Sequence, residues 1–336
     1  MQKYYSFLHN DKEVRDSSSS GGAFTLISDL VLEEGGVVYG CVLDSELRAR
    51  HIRAVNRQGR DRMRTSKYIQ SDMRDIFPEI RKDLIDGTKV LFSGTPCQVS
   101  AVRQYLNTQK VDDKNLILLE VICHGVGSNR FFHDYIHHLE SRYKGKAVHV
   151  NFRAKRHKGQ KQDMEVRFDN GRIYSASSTK FDWYYSIYLN NLILRPSCYE
   201  CLFAKKERYA DLSLADHWGY KDSEAYSLIV CNSVIGENIL KKAGAAKMDE
   251  ISEEDIRQPY MHGPSKRPGD YDTFWKIYLS EGYLPVQKWF GNNRVRGKIC
   301  DTIARIAYFL HIAGILKELK SGLSRRYRRF FDDRLG

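Results

Sequence analysis

The chain has 336 residues, 42% hydrophobic and 12% aromatic, enough apolar side chain to pack an interior and too much for a disordered segment. Its 54 Lys and Arg against 42 Asp and Glu give a formal charge of +12, which favours anionic company: phosphates, acidic sugars, nucleic acid or a membrane surface. No run reaches the roughly 18 apolar residues of a membrane span, and the opening MQKYYSFLHNDKEVRD lacks an apolar leader stretch, so the 7 cysteines are expected in the cytoplasm as reduced thiols or metal ligands.

In chain order, SSSSGG leads into a helix with Phe24, Ile27, Leu30 and Val31 on one face, stopped by Gly35 and Gly36. VVYGCVL reads as a strand, with Cys41 an inert core thiol. After the polar stretch RQGRDRMRTSKYIQSD, a helical pattern in MRDIFPEIRKDLIDG is expected to break near Pro78. KVLFSG is a short apolar strand, and TPCQVSAVRQYL a helix with Pro96 in its first turn. NLILLEVI is a strand of the kind buried on both faces, followed by a helix that Ser128 can cap, with Phe132, Tyr135, Ile136 and Leu139 on one side.

Strand, helix, strand with short connections is a βαβ unit. Cys97 and Cys123 then each fall just past the carboxyl end of a parallel strand, on the edge where open α/β sheets bind their ligands. From about residue 146 the texture changes: VHVNFRAK and MEVRFDNGRIYSAS read as strands, with a hairpin turn at Asn170-Gly171. The aromatic segment FDWYYSIYLNNLIL delivers the chain to Cys198 and Cys201, and YSLIVCNS is a strand with Cys231 in the core. The basic run FRAKRHKGQKQ is expected to be a solvated face.

Cys97, Cys123, Cys198 and Cys201 thus stand in turn-like places, three ligand sources of which one is C-x-x-C. Such a set suits a four-thiolate zinc site or an iron–sulfur cluster, and spacing does not separate the two.

The segments SSSSGGAF, GGVVYGC, SKYIQSD, VLFSGTPCQVSAVRQYL, ICHGVGS, NFRAK and SCYECLFAKKERYADLSLADHWG follow one another across residues 1–290. Their order and style resemble the coenzyme F420 hydrogenase/dehydrogenase beta-subunit family, in the type found among polysaccharide-biosynthesis proteins. The resemblance implies a flavoprotein that binds FAD and a 4Fe-4S cluster, with Cys97, Cys123, Cys198 and Cys201 as the cluster's ligands. Two motifs depart from the family pattern: Ala215-Asp216-His217-Trp218-Gly219 stands for Gly-Asp-Phe-Trp-Gly, and Gly127 replaces a proline. The family's dense ferredoxin-type C-x-x-C-x-x-C runs do not occur in this sequence, so electrons are expected from a ferredoxin-like partner.

A dinucleotide pyrophosphate needs backbone N–H groups at a helix start and small residues that allow close approach. With the resemblance, Ser18, Ser19, Ser20, Gly21 and Gly22 are expected to supply this, together with Gly94, Thr95 and Gln98. Lys67 and Tyr68 are candidates for charge and stacking beside the flavin. His124, next to a ligand cysteine, is a candidate proton donor or hydrogen bond to cluster sulfur. Hydride chemistry itself would be borne by the flavin.

The expected architecture is therefore α/β: residues 1–145 a βαβ-containing mixed sheet with the flavin loops, 146–290 an α+β part that carries the C-x-x-C, and 291–336 a basic helical tail. In that tail, residues 299–329 combine spaced isoleucines and leucines with basic flanks and could lie on the inner face of an anionic membrane. Nucleic acid is not the expected partner. The expected function is an FAD- and 4Fe-4S-dependent oxidoreductase acting between a ferredoxin-like partner and a small organic substrate, anionic in keeping with the local arginines and lysines, or a deazaflavin coenzyme. The alternative is a zinc-stabilised or redox-inactive scaffold of a polysaccharide-synthesis complex.

Overall fold

The apolar runs VLFSG and LILLEV form neighbouring parallel strands, and their burial on both faces explains why neither alternates with polar residues. The structure, a computed structural model, describes residues 2–155, 163–176, 182–220, 225–243 and 248–291. Its strands, in chain order, are β1 (Lys3–Phe7), β2 (Val37–Leu43), β3 (Ala49–Ala54), β4 (Val90–Gly94), β5 (Leu116–Val121), β6 (Ala147–Ala154), β7 (Asp163–Phe168), β8 (Ile173–Ala176), β9 (Leu212–Asp216), β10 (Ser227–Cys231) and β11 (Met248–Ile251). Eight of them make one sheet in the order β11-β1-β10-β9-β5-β4-β2-β3, and β6-β7-β8 make a second.

The middle of the large sheet is parallel (β2-β4-β5-β9) and its flanks are antiparallel. Strand β4, the helix Pro96–Thr108 and strand β5 form the expected βαβ unit. One face of the sheet is covered around Ile27, Val31, Leu91 and Ile229, the other around Ile80, Val99, Val102 and Phe92. Strands β9 to β11 come from beyond residue 146 yet complete the sheet begun by β1 to β5, and β1 lies between β10 and β11.

The small sheet is an antiparallel meander whose turn at Asn170-Gly171 joins β7 to β8, with Gly171 at a φ of 79°. It packs against the helices Asn129–Tyr143, Trp183–Leu189, Tyr271–Glu281 and Tyr283–Phe290 through a core rich in rings, among them Phe131, Phe132, Tyr135, Tyr184 and Phe274. Within it Asp182 is fully buried and accepts hydrogen bonds from the hydroxyls of Tyr135 (2.7 Å) and Tyr174 (2.9 Å) and from the Tyr185 N–H (2.7 Å).

One expected break is absent. Pro78 lies in the first turn of a continuous helix, Ile76–Ile85. The N–H that proline lacks would have had no intrahelical partner there, so nothing is lost. The amphipathic tail and Cys300 lie outside the described residues, within which no helix is long and apolar enough to cross a membrane.

Candidate functional site

The carboxyl ends of β4, β5 and β9 open onto a cavity of about 360 Å³, within the range of small-molecule sites. Its floor is set by the turns that leave these strands, Ser93-Gly94-Thr95 and residues 122–126, together with Leu214 to Asp216 at the end of β9. Two helices begin on it. Gly22, at a φ of 90°, is the N-cap of Ala23–Glu33, and Thr95 opens Pro96–Thr108 in a capping box whose Gln98 Oε1 accepts the Thr95 N–H at 2.9 Å. Both helix starts offer backbone N–H groups and positive dipole ends.

Of the residues expected to bind cofactor, Ser18, Ser19, Ser20, Gly22, Lys67, Tyr68, Gly94, Thr95 and Gln98 line this one cavity, as does His124. Gly21 does not. A Cβ there would stand 2.2 Å from the Phe7 carbonyl oxygen and 2.7 Å from the Ser227 nitrogen, so glycine is required for the serine loop to rest on the ends of β1 and β10. Lys67 donates from Nζ to the carbonyl oxygens of Met63 (2.9 Å), Arg64 (2.7 Å) and Thr65 (3.0 Å), and burial pulls its ammonium down to about 8. Tyr68 is packed among Phe152, Tyr185 and Tyr188. His124 stacks on Tyr260 at 4.8 Å and meets Asn191 Oδ1 at 2.6 Å, which makes Nε2 its donor.

Several lining residues are ones that local sequence patterns did not single out. Arg153 belongs to a run expected to be a solvated face, but only 9% of its side chain is exposed. Its Nη2 donates to both oxygens of Asp216 (3.0 and 2.8 Å) and to the Ser19 carbonyl (2.9 Å), and its Nη1 to the Tyr68 hydroxyl (3.0 Å). The neighbouring Lys155 donates to the carbonyl oxygens of Arg15 (2.6 Å) and Ser20 (2.9 Å), so one strand ties down the whole serine loop. Cys41, expected as an inert core thiol, also lines the cavity, opposite His51 in the β2–β3 register. His51 was legible in principle, as a histidine on the buried face of an alternating strand (ARHIRA). Arg64, Lys67 and Arg153 oppose one carboxylate, Asp216, on the cavity wall.

The four expected ligand cysteines lie near one another, and Cys123 among them lines the cavity. Burial raises the Cys123 thiol, and the Cys198, Cys97 and Cys201 thiols raise it further; Cys198 is likewise raised by burial and then by Cys97 and Cys201. Backbone groups of Gly125 and Val126 oppose these shifts, as N–H donors to thiolates do. Cys97 is exposed in the first turn of its helix, with its Sγ 3.2 Å from Thr95 Oγ1. The sulfurs are near enough to act on one another. Even so, no group of three or more His, Cys, Asp or Glu among the described residues closes into a set that could hold a single ion. Cys231 is buried in β10, apart from this group, as expected.

The two departures from the resembled pattern have local explanations. His217 turns from the cavity to Ser6 Oγ (3.0 Å) and stacks on Tyr220, while Ala215, Asp216 and Trp218 line the wall. Gly127 donates its N–H to the Tyr68 carbonyl at 3.2 Å, a bond proline cannot make, and a Cβ there would stand 2.6 Å from the Tyr184 hydroxyl.

The sequence profile for the C terminus of the coenzyme F420 hydrogenase/dehydrogenase beta subunit matches residues 87–257, just over half of the chain. The chain belongs to this family. The match spans the βαβ unit, all four clustered cysteines, Arg153 and Asp216. Among solved structures, a chain of the F420-reducing NiFe hydrogenase complex from Methanosarcina barkeri, studied by xenon derivatization, is similar with a TM-score of 0.52. The likeness covers 86% of this chain and 90% of that one at 19% identity, and at that identity it speaks for the fold alone. No curated protein matches the chain. Its family makes it a redox protein of the F420 hydrogenase/dehydrogenase beta-subunit type.

Proposed function

We propose that the protein is an FAD- and 4Fe-4S-dependent oxidoreductase that passes electrons between a ferredoxin-like partner and an organic substrate or a deazaflavin coenzyme. The observation that carries this reading is the position of Cys123. It lies on the cavity wall and also within electrostatic reach of Cys97, Cys198 and Cys201, so a thiolate-bound group and a ligand in the cavity would be neighbours.

Four thiols with backbone N–H groups beside them suit an anionic iron–sulfur cluster. Cys97, Cys123, Cys198 and Cys201 would hold it. Ser18 to Ser20 and Gly22, at the start of one helix, and Gly94 and Thr95, at the start of the other, would take the FAD pyrophosphate on backbone N–H groups. Tyr68, fixed by Arg153, would border the flavin, and the excess of cations would favour an anionic ligand. Bound FAD would supply hydride chemistry and the cluster single-electron transfer. The exposed turn at Cys97 leaves the cysteine group open to a partner, in line with the multi-subunit setting of the structural neighbour. Thiolate ligation of a cluster would need a reducing compartment, so the reading goes with a cytoplasmic site of action.

Purification without oxygen tests the reading directly. The expected product is brown, releases FAD on denaturation, and carries about four iron and four sulfide per chain. Zinc without flavin would instead identify a zinc-stabilised scaffold.

The serine loop is tested by Ser19→Asp. Ser19 Oγ accepts the Ser66 N–H at 2.9 Å, a bond an aspartate oxygen can keep, so the added charge is the main change. Beside a pyrophosphate it should weaken FAD binding by about ten- to a hundredfold, with iron content unchanged. Undiminished FAD affinity would move the phosphates elsewhere.

A further inference from the structure

Arg208 and Glu120 form an ion pair sealed inside the protein. Both side chains are 1% exposed, and Arg208 Nη1 stands 3.3 Å from Glu120 Oε1. Glu120 lies on β5 just ahead of Cys123, and its Oε1 also accepts the hydroxyl of Ser213, its register partner on β9, at 2.8 Å. Arg208 follows the C-x-x-C, and its Nη1 donates at 3.2 Å to the carbonyl oxygen of Phe203, in the segment that leaves Cys201. One guanidinium thus joins the strand that leads to Cys123 to the loop that leaves Cys201.

The pair is poorly matched as a structural link. Arg208 Nε and Nη2 and Glu120 Oε2 are closed off from solvent and have no hydrogen-bond partner among the described residues. A buried cation that is only partly paired is costly, and a well-packed apolar replacement is often as stable. Negative charge nearby would offset that cost, and the cysteines are where it would arise. Burial pulls the Arg208 guanidinium below the ordinary arginine range, and Glu120 first, then Cys123 and Cys201, oppose this. At the other end burial raises the Glu120 carboxyl against Arg208 and Ser213, and no cysteine figures among its electrostatic neighbours. The pair is therefore a dipole whose positive end acts on the cysteines.

We propose that Arg208 is the fixed countercharge of the anionic cluster held by Cys97, Cys123, Cys198 and Cys201, and that it raises the cluster's reduction potential. The inference rests on the cluster of the proposed function. Arg208 needs no contact with it, because a charge acts through the low-dielectric interior at a distance. An added electron makes the cluster more negative, so a fixed cation favours the reduced form, net charge being one of the levers on such potentials.

Three variants separate the charge from the link. Arg208→Lys keeps the charge and loses the planar fork. Arg208→Gln removes the charge and keeps an N–H donor for the Phe203 carbonyl. Arg208→Met/Glu120→Gln removes both charges and strands neither. The cluster potential would be measured by anaerobic redox titration of the full chain and of each variant, with iron content and thermal unfolding alongside. The expected result is a reduction equilibrium about tenfold less favourable in both uncharged variants, or about 59 mV for a one-electron couple, and within about threefold of the parent in Arg208→Lys. If one uncharged variant does not fold, the other decides. Iron lost from both uncharged variants but kept by Arg208→Lys would support the same role. An unchanged potential without the charge, or an equal shift or iron loss in Arg208→Lys, would overturn it and leave Arg208 a structural clamp beside an intact cluster. Absence of iron and sulfide from the parent chain would instead remove the cluster reading, and this inference with it.

Discussion

Replacement of Cys123 by serine is expected to leave the protein without its iron. Cys123 lines the cavity, and all three other thiols act on its ionisation. Serine is a poor thiolate substitute, so the loss should exceed the roughly 10–100-fold that follows removal of a mere supporting group. Serine at 97, 198 or 201 should act alike, whereas Cys231→Ser should retain iron because Cys231 is buried in β10 with its Sγ toward the Ser233 carbonyl. Cys41→Ser is the informative control. Its thiol lies on the cavity wall and no ligand thiol figures among its electrostatic neighbours, so it is expected to disturb flavin and spare iron. Iron and sulfide assays on anaerobically purified variants decide the matter. Iron loss in Cys41→Ser as complete as in Cys198→Ser would break the assignment.

Arg153→Met should be the most destabilising change at the cavity. The Arg153–Asp216 pair is 9% and 18% exposed, and removal of the cation leaves a carboxylate in the interior with its oxygens unmatched. Breaking a buried pair in this way costs about 3–5 kcal/mol, and the loss of the bonds to the Ser19 carbonyl and the Tyr68 hydroxyl adds to it. Because Asp216 keeps some contact with water, about 3 kcal/mol is the expected shift in denaturant unfolding. The double variant Arg153→Met/Asp216→Asn should recover a substantial part, since it removes the stranded charge. A single variant as stable as the parent would show that the pair contributes nothing to the fold.

The cysteine group was legible because its members sit where local rules are strongest. Cys97 and Cys123 follow apolar strands of unmistakable length, and Cys198 with Cys201 forms a motif of its own. Pro78 misled because the same residue that ends helices also begins them, and the apolar pattern does not reveal in which turn it falls. Arg153 was illegible for a different reason. In sequence it is one cation in a basic run, and only the approach of β9 brings it a carboxylate. The return of β9 to β11 to the first sheet was equally hidden, because pairing between strands so far apart in the chain (Leu119 with Leu212, Lys3 with Cys231) leaves no trace in local periodicity. The strand β1 shows this most clearly: KYYSF has little to mark it until β10 and β11 close around it.

That same strand sets a timetable for synthesis. Lys3 pairs with Cys231 and Tyr4 with Ile251, so β1 leaves the ribosome well before either of its neighbours. At about 5–20 residues per second, β1 waits roughly 10–50 s with both edges open. During that interval the serine loop, which rests on β1 and β10, has no seat, and the pairs Ser20–Ser227 and Arg153–Asp216 do not exist. The complete cavity is therefore available only late in synthesis, once Gln258 and Tyr260, which also line it, have emerged. Until β10 and β11 arrive, KYYSF is an exposed β-prone segment, a natural point of engagement for chaperones and a hazard when the chain is overproduced.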